Sequence, residues 1–305
     1  MEPPLIGIVG PTASGKTDLA LALAQRIPVE IIVADSRQVY RGMDVGTAKP
    51  DATARASVPH HLLDLADPDQ PFTVADWVAA ARDRVVEIGG RGRLPMVVGG
   101  TGLYVAALVD GHDYASQPWS PEIRQRLAEE LAADGLEALA ERLRHSEPGT
   151  RVDVRNPRRV LRALERLEGG GAAPAANAYG GRVVMLAIDR PRDVLYRRID
   201  RRTEYMFTTG GLLDETRRLL AAGYGPELRP MTGHGYREAI AHLAGEWSLD
   251  RAIEVTARHT RQYAKRQLSW FRRDRRIVWL PFRSDSADDP ALVTEAERLI
   301  RSALA

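Results

Sequence analysis

Eight residues, Gly10-Pro11-Thr12-Ala13-Ser14-Gly15-Lys16-Thr17, constrain this chain more than any other stretch. An apolar run, Leu5 to Val9, precedes them, and an apolar helical segment, Asp18 to Arg26, follows. Strand, glycine-rich loop and helix in that order are the context a P-loop needs. The glycines let backbone N–H groups turn inward around an anion, and the helix N-terminus adds partial positive charge. Lys16 reaches the outer phosphate, and the Thr17 hydroxyl suits Mg²⁺. Gly10, Thr12, Ala13, Ser14, Gly15, Lys16 and Thr17 are therefore the expected diphosphate site, with Mg²⁺ as cofactor at Thr17. Such a loop selects a di- or triphosphate, not a reaction.

The 305 residues give room for one large or two modest domains, and 44% of them are hydrophobic, enough for a core. The absence of cysteine excludes disulfides, thiolate catalysis and cysteine-based zinc modules. Neither a leader-like N-terminus nor an apolar run long enough for a bilayer is apparent, so a soluble, cytosolic protein without a membrane partner is expected. A formal net charge of +2 decides nothing about nucleic acid; the placement of charge must. Of 43 basic residues only Lys16, Lys49 and Lys265 are lysine. Where arginine is so general, a lysine marks a place for a compact ammonium rather than a planar fork.

Val29 to Ala34 reads as a second buried parallel strand, ending in Asp35-Ser36-Arg37-Gln38-Val39-Tyr40. Ligands of open α/β sheets sit beyond the carboxyl ends of strands, so Asp35 belongs beside the P-loop. It is a Walker B ligand of Mg²⁺, a general base beside a substrate-reading loop, or a turn cap. The adjacent His60 and His61 point apart in any regular element and favour packing or hydrogen bonding over a metal. Thr73 with Asp76 forms a capping box for a helix to Ile88, which Gly89 and Gly90 should stop. Leu94 to Val98 is a third strand and runs into a second glycine-rich loop, Gly99-Gly100-Thr101-Gly102.

From Gly111 the texture changes. Residues 112–120 form a polar linker, and Pro121 opens one long amphipathic helix to about His145. The stretch Arg151 to Glu165 carries an arginine-rich helical face, and residues 169–181 are Gly/Ala-rich linker. Residues 113–180 thus read as a small helical domain inserted into an α/β core of residues 1–112 and 181–305. Arg182 to Ile188 is a fourth strand, followed by helices that include one with Arg197, Arg198, Arg201 and Arg202. Ser248 caps the last long helix, whose later part, Arg258 to Arg273, interleaves cations with aromatics. That mix suits phosphate neutralisation and stacking on unpaired bases. Arg276 to Leu280 is a final strand before a tail helix.

Several of these stretches in order resemble the bacterial tRNA dimethylallyltransferases (tRNA isopentenyltransferases). The most specific are Asp35-Ser36-Arg37-Gln38-Val39-Tyr40-Arg41-Gly42 and Thr260-Arg261-Gln262-Tyr263-Ala264-Lys265-Arg266-Gln267. The resemblance runs from residue 10 to about 280 and agrees with a P-loop NTPase-like parallel sheet flanked by helices. It implies transfer of a dimethylallyl group from dimethylallyl diphosphate to N6 of the adenosine 3′ of the anticodon. It also implies Asp35 as the base on the amine, Thr101 at the substrate and Arg202 on the leaving diphosphate.

The tRNA anticodon stem-loop would then lie on Asp35, Ser36, Arg37, Gln38 and Thr101, and on Gly235, Tyr236 and Arg237. From the last long helix it would meet Lys265, Arg266, Gln267, Trp270 and Arg272; from the insertion, Arg124, Arg158, Arg159 and Arg162. A monomer is expected. Asn156-Pro157-Arg158-Arg159, residues 169–176 and Met231-Thr232-Gly233-His234 depart from the family pattern. Two other enzymes share the donor loop: a P-loop kinase of a small metabolite and a prenyltransferase acting on free adenine nucleotide. A non-catalytic RNA-binding P-loop protein is the remaining alternative.

Overall fold

A computed structural model of the protein describes residues 2–111, 120–150, 152–170, 178–284 and 289–304. Two runs read above as linkers, 112–120 and 169–181, fall largely outside the described residues, as does Arg151. In chain order the first unit contains β1 (Leu5–Val9), α1 (Lys16–Ala24), β2 (Val29–Ala34), α2 (Ala52–Ser57), β3 (His60–His61), α3 (Val74–Gly90), β4 (Leu94–Gly99) and α4 (Gly102–Asp110). After α5 (Pro121–Ser146) and α6 (Pro157–Glu168) it resumes with β5 (Val183–Asp189), α7 (Arg192–Thr208), α8 (Leu212–Ala221), α9 (Tyr236–Leu243), α10 (Leu249–Phe271), β6 (Ile277–Pro281) and α11 (Pro290–Leu304).

The six strands among the described residues are all parallel, in the order β3-β2-β4-β1-β5-β6. Side chains alternate between two cores. Leu5 and Val9 of β1 pack with Ile32, Val97 and Met185 against Trp77, Ala81 and Val85 of α3. Ile6 and Ile8 pack with Ile31, Val98 and Leu186 against Leu19 and Leu23 of α1 and Ile300 of α11. Both faces are covered, which is why the strands read as continuous apolar runs rather than alternating ones. The fold class is thus α/β: a parallel sheet flanked by helices.

Three details differ from the sequence reading. Helix α3 continues through Gly89 and Gly90 and turns only at Gly92, where φ is +70°. Gly89 is small because Pro3 packs on it: a Cβ there would lie 2.8 Å from the Pro3 ring. His60 and His61 pair with Ile31 and Ile32 as a short edge strand. The long helix from Pro121 is broken at Gly135, with φ 81° and ψ 171°, because no other residue adopts that backbone readily.

The division into compact units falls at Met1–Asp110 with Ala178–Ala305, and Gly111–Asn177. The second unit has its own core of Leu127, Leu139, Leu143, Val160, Ala163 and Leu164. No helix among the described residues is long and apolar enough to cross a membrane.

Candidate active site

The P-loop leaves β1 at Gly10 and enters α1 at Lys16, with Gly10 and Gly15 at φ +139° and +89°. Ala13 also has positive φ, +63°, which an L-residue holds only when its surroundings impose it. Here arginines impose it. Arg198 Nε donates to the Ala13 carbonyl at 3.1 Å, and Arg190 Nε donates to the Ser14 carbonyl at 3.1 Å. Arg202 of α7 donates to the Thr12 hydroxyl at 2.6 Å. Beneath the loop, Ser14 Oγ is buried and has no hydrogen-bond partner. Lys16 Nζ reaches back to the Pro11 carbonyl at 3.2 Å. Burial lowers its pKa to about 8; Asp35 opposes that shift and Arg202 adds to it.

Asp35 sits just past the carboxyl end of β2, and its Oδ1 accepts from Arg37 N–H at 2.9 Å. Beside it, Thr101 follows β4. The Thr101 N–H donates to the Ala34 carbonyl at 3.1 Å, and its hydroxyl accepts from Ser36 N–H at 3.0 Å. Glycine is required at position 99 for this approach: a Cβ there would stand 2.0 Å from the Ala34 carbonyl oxygen. Tyr263 of α10 completes this wall; burial, then Asp35, push its phenol up to about 12, so it stays neutral.

Two cavities meet at these residues. One, of about 690 Å³, is lined by Lys16, Thr17, Asp18, Arg198 and Arg201. The other, of about 250 Å³, is lined by Ser36, Arg37, His234, Gly235, Thr256 and Tyr263. Both include Thr12, Asp35, Thr47, Ala48 and Arg202. One carboxylate and one guanidinium therefore face an anion-binding cleft on one side and a polar, aromatic cavity on the other.

Other expected site residues are engaged in contacts within the protein. Gln267 is only 6% exposed; its carbonyl accepts from Thr12 N–H at 2.9 Å and its amide donates to the Gly100 carbonyl at 2.8 Å. It is an internal bridge, with its carbonyl and its amide nitrogen each engaged by backbone. Gln38 likewise donates to the carbonyls of Thr47 and Ala48. Tyr236 is buried, and its hydroxyl donates to Glu215 at 2.6 Å. Arg37 donates to the Arg229 carbonyl at 2.6 Å. Lys265, Arg266 and Trp270 do lie on the exposed face of α10, with Gln262 and Ser269 and, just past the helix end, Arg273. Arg272 pairs with Asp189 and stacks over Trp279. Gly235 opens α9, with its N–H held by Glu238, and Arg237 pairs with the same carboxylate.

In the second unit, buried Glu165 accepts a forked pair of hydrogen bonds from Arg124 and a third from Arg162. The free anion grip expected of those two is therefore partly neutralised from within. Arg158 and Arg159 form no side-chain ion pair among the described residues. Lys49 borders the anion-binding cleft but turns its ammonium away from it. Its ammonium is fully buried against the Tyr40 carbonyl, Asp44 and Asp64, at 2.6–2.7 Å. Three converging acceptors explain the lysine, since a planar fork would not fit.

His60 and His61 hydrogen-bond to the Val58 carbonyl and Glu30, as packing residues do. A close grouping of possible metal ligands among the described residues is His234, Glu238 and His259, with ligand atoms within 4.8 Å. An arginine already stands there: Arg237 lies 2.8 Å from Glu238 Oε1 and 3.0 Å from His259 Nδ1.

A parallel α/β sheet with a P-loop, a neighbouring strand-end carboxylate and clustered arginines defines a P-loop enzyme that handles a diphosphate group. Comparison narrows the class. The chain matches the IPP transferase family model over residues 38–274 and the isopentenyl transferase model over residues 4–61. It is 45% identical to the tRNA dimethylallyltransferase of Syntrophobacter fumaroxidans, over 97% of this chain and 87% of that protein. It is 42% identical to that of Heliobacterium modesticaldum, over 97% and 95%. The crystal structure of the full-length tRNA isopentenylpyrophosphate transferase of Bacillus halodurans superposes with TM-score 0.75 at 38% identity, covering 100% of this chain and 97% of that one. The chain belongs to the tRNA dimethylallyltransferase family of prenyl-transferring enzymes.

Proposed function

We propose that this protein transfers a dimethylallyl group from dimethylallyl diphosphate to N6 of the adenosine 3′ of the anticodon in tRNA, releasing diphosphate. The observation that carries this reading is the position of Asp35 and Arg202, on the wall between the anion-binding cleft and the second cavity. The donor's diphosphate takes the P-loop side and the extruded adenine the other. The reacting carbon then lies between a group that receives the leaving charge and one that receives the proton.

The balance is simple. The C1–O bond to diphosphate breaks and leaves with its electron pair; the N6–C1 bond forms; the N6 proton passes to Asp35. An allylic carbon disperses positive charge, so departure runs ahead of attack. An amine conjugated with the purine ring is a weak nucleophile, so orienting it and removing its proton both help. Lys16 and Arg202 meet charge growing on the leaving diphosphate.

The donor set fits Mg²⁺, a hard cation that takes oxygen ligands: Thr17, Asp18 and Asp35 all line the anion-binding cleft. Thr17 would hold the ion, which when bound neutralises diphosphate charge. On the RNA side, the exposed cations of α10, Lys265 and Arg266, would take phosphates and Trp270 a stacked base. In the insertion, Arg158 and Arg159 are the better-placed cations.

The test is incubation with unmodified tRNA, Mg²⁺ and labelled dimethylallyl diphosphate. Label on an anticodon-loop adenosine is expected. Absence of label across several tRNAs, from folded protein, would overturn the reading.

A further inference from the structure

We infer that Gln267 is a positioning residue for the transfer reaction, one amide that holds the diphosphate loop and the Thr101 loop in register. The inference rests on the prenyl-transfer reading of the cleft. Gln267 lies on α10 among exposed neighbours, Lys265, Arg266, Ser269 and Trp270, yet is itself buried. Its side chain points inward between two loops that are far apart in sequence, and bonds to one backbone group of each. The fit is close on the acceptor side: a Cβ on Gly100 would lie 2.3 Å from Gln267 Nε2.

The consequence is a continuous path across the cleft. Arg202 holds the Thr12 hydroxyl, and the Thr12 N–H is held by Gln267. Gln267 in turn holds the Gly100 carbonyl. Thr101, next in the chain, holds Ser36 N–H, and Ser36 follows Asp35. Beyond the ends of the strand pairing, where Val9 and Ala34 both flank Gly99, the group assigned to the leaving diphosphate and the group assigned to the amine are thus linked by one amide. A planar amide donates and accepts in fixed geometry; glutamate lacks the donor, methionine both, and asparagine is a methylene short. Small misplacement of reacting groups lowers rate steeply, by about 100-fold for an ångström.

The experiment compares wild type with Gln267→Met and Thr12→Val, singly and together. It reads kcat and KM for the donor, affinity for inorganic diphosphate by calorimetry, tRNA affinity and Tm. Gln267→Met is expected to lower kcat/KM for the donor roughly 10- to 100-fold and to weaken diphosphate binding, with tRNA affinity unchanged. The double variant is expected to be little worse than the poorer single one, since both act through the position of Thr12. Unchanged kcat/KM and diphosphate affinity would overturn the inference, as would losses that simply multiply and track Tm. If Gln267→Met does not fold, Gln267→Glu keeps the acceptor for Thr12 N–H and carries the same test, with a measurable loss expected and none overturning it. A wild-type protein that binds diphosphate but transfers no label would overturn the reaction reading instead, while the diphosphate comparison still decides the bridge.

Discussion

Arg202 and Thr12 are joined by a 2.6 Å hydrogen bond from guanidinium to hydroxyl, which ties a cation of α7 to the third residue of the P-loop. Arg202 also lines both cavities. A lysine at this position would keep the charge but lose the fork that bonds Thr12 and a phosphate oxygen together. Arg202→Lys is expected to lower kcat/KM for the donor on the order of 100-fold while leaving tRNA affinity nearly intact. Steady-state kinetics with the donor varied would check this; a loss under about threefold would deny Arg202 its role at the leaving group.

The depressed pKa of Lys16, about 8 and caused first by burial, has two readable consequences. Diphosphate needs the ammonium form, so kcat/KM for the donor should decline on the alkaline side of about pH 8. Stability runs the other way. The unfolded lysine keeps its proton to about pH 10.4, so between roughly pH 8 and 10.4 the unfolded chain binds more protons and stability rises with pH. Below pH 8 the half-buried charge opposes folding, to an extent that solvent in the cleft reduces. Lys16→Met is therefore expected to raise the ligand-free Tm by a few degrees at pH 7, by about 2–4 °C per kcal/mol gained, and by less at pH 10, while abolishing transfer. Calorimetric melts at the two pH values are the check, and an equal or lower Tm at pH 7 would contradict the assignment.

The parts of this site that were legible in the sequence are contiguous. Gly10 to Thr17 reads at once because loop, strand and helix adjoin, and Asp35 is placed by the rule for strand ends. What holds those residues was not legible. Gln267 is 255 positions from Thr12, and Arg198 is 185 from Ala13. Gln267 shares the buried side of α10 with Ala264 and Phe271, but a polar residue amid cations and aromatics reads as part of the RNA face until the loops it bridges are in place. Arginine's abundance hid Arg190 and Arg198 in the same way. Missing β3 has a plainer cause, since a two-residue edge strand carries no periodicity.

Glu215 was silent in the sequence and is among the most engaged side chains. It is buried and accepts from the N–H groups of Asp44, Val45 and Gly46 and from the Tyr236 hydroxyl. The loop it gathers supplies Thr47 and Ala48 to both cavities. Glu215→Gln turns one acceptor oxygen into a donor facing donors, leaving buried groups unmatched at about 1–3 kcal/mol. A lower urea midpoint and a KM raised for both substrates are expected; a variant as stable as wild type would show the carboxylate to be dispensable.

Asp35→Asn keeps size and hydrogen bonding but cannot take a proton. Loss of a positioned base removes about 10²- to 10⁴-fold in rate. That loss should fall on kcat, in a single-turnover assay with tRNA and donor saturating, and leave tRNA affinity close to wild type. Wild-type turnover in this variant would leave only an orienting role for the carboxylate.

The exposed face of α10 makes the RNA side quantitative. Lys265 and Arg266 are exposed neighbours of Trp270, itself 41% exposed, and the buried stripe of Ala264, Gln267 and Phe271 fixes which way they face. A cation that neutralises a phosphate releases a condensed counterion. Each such contact therefore adds about 0.7–0.9 to the slope of log affinity against log salt. Lys265→Ala and Arg266→Ala should each weaken tRNA binding and flatten that slope by roughly one, without altering donor KM. Trp270→Ala should weaken binding while leaving the slope as it was, because stacking on a base involves no counterion. Filter binding or fluorescence titration at four or five salt concentrations separates these outcomes. A slope unmoved by either cation would place the phosphates elsewhere, and a slope changed by Trp270→Ala would mean that the ring orders its basic neighbours rather than a base.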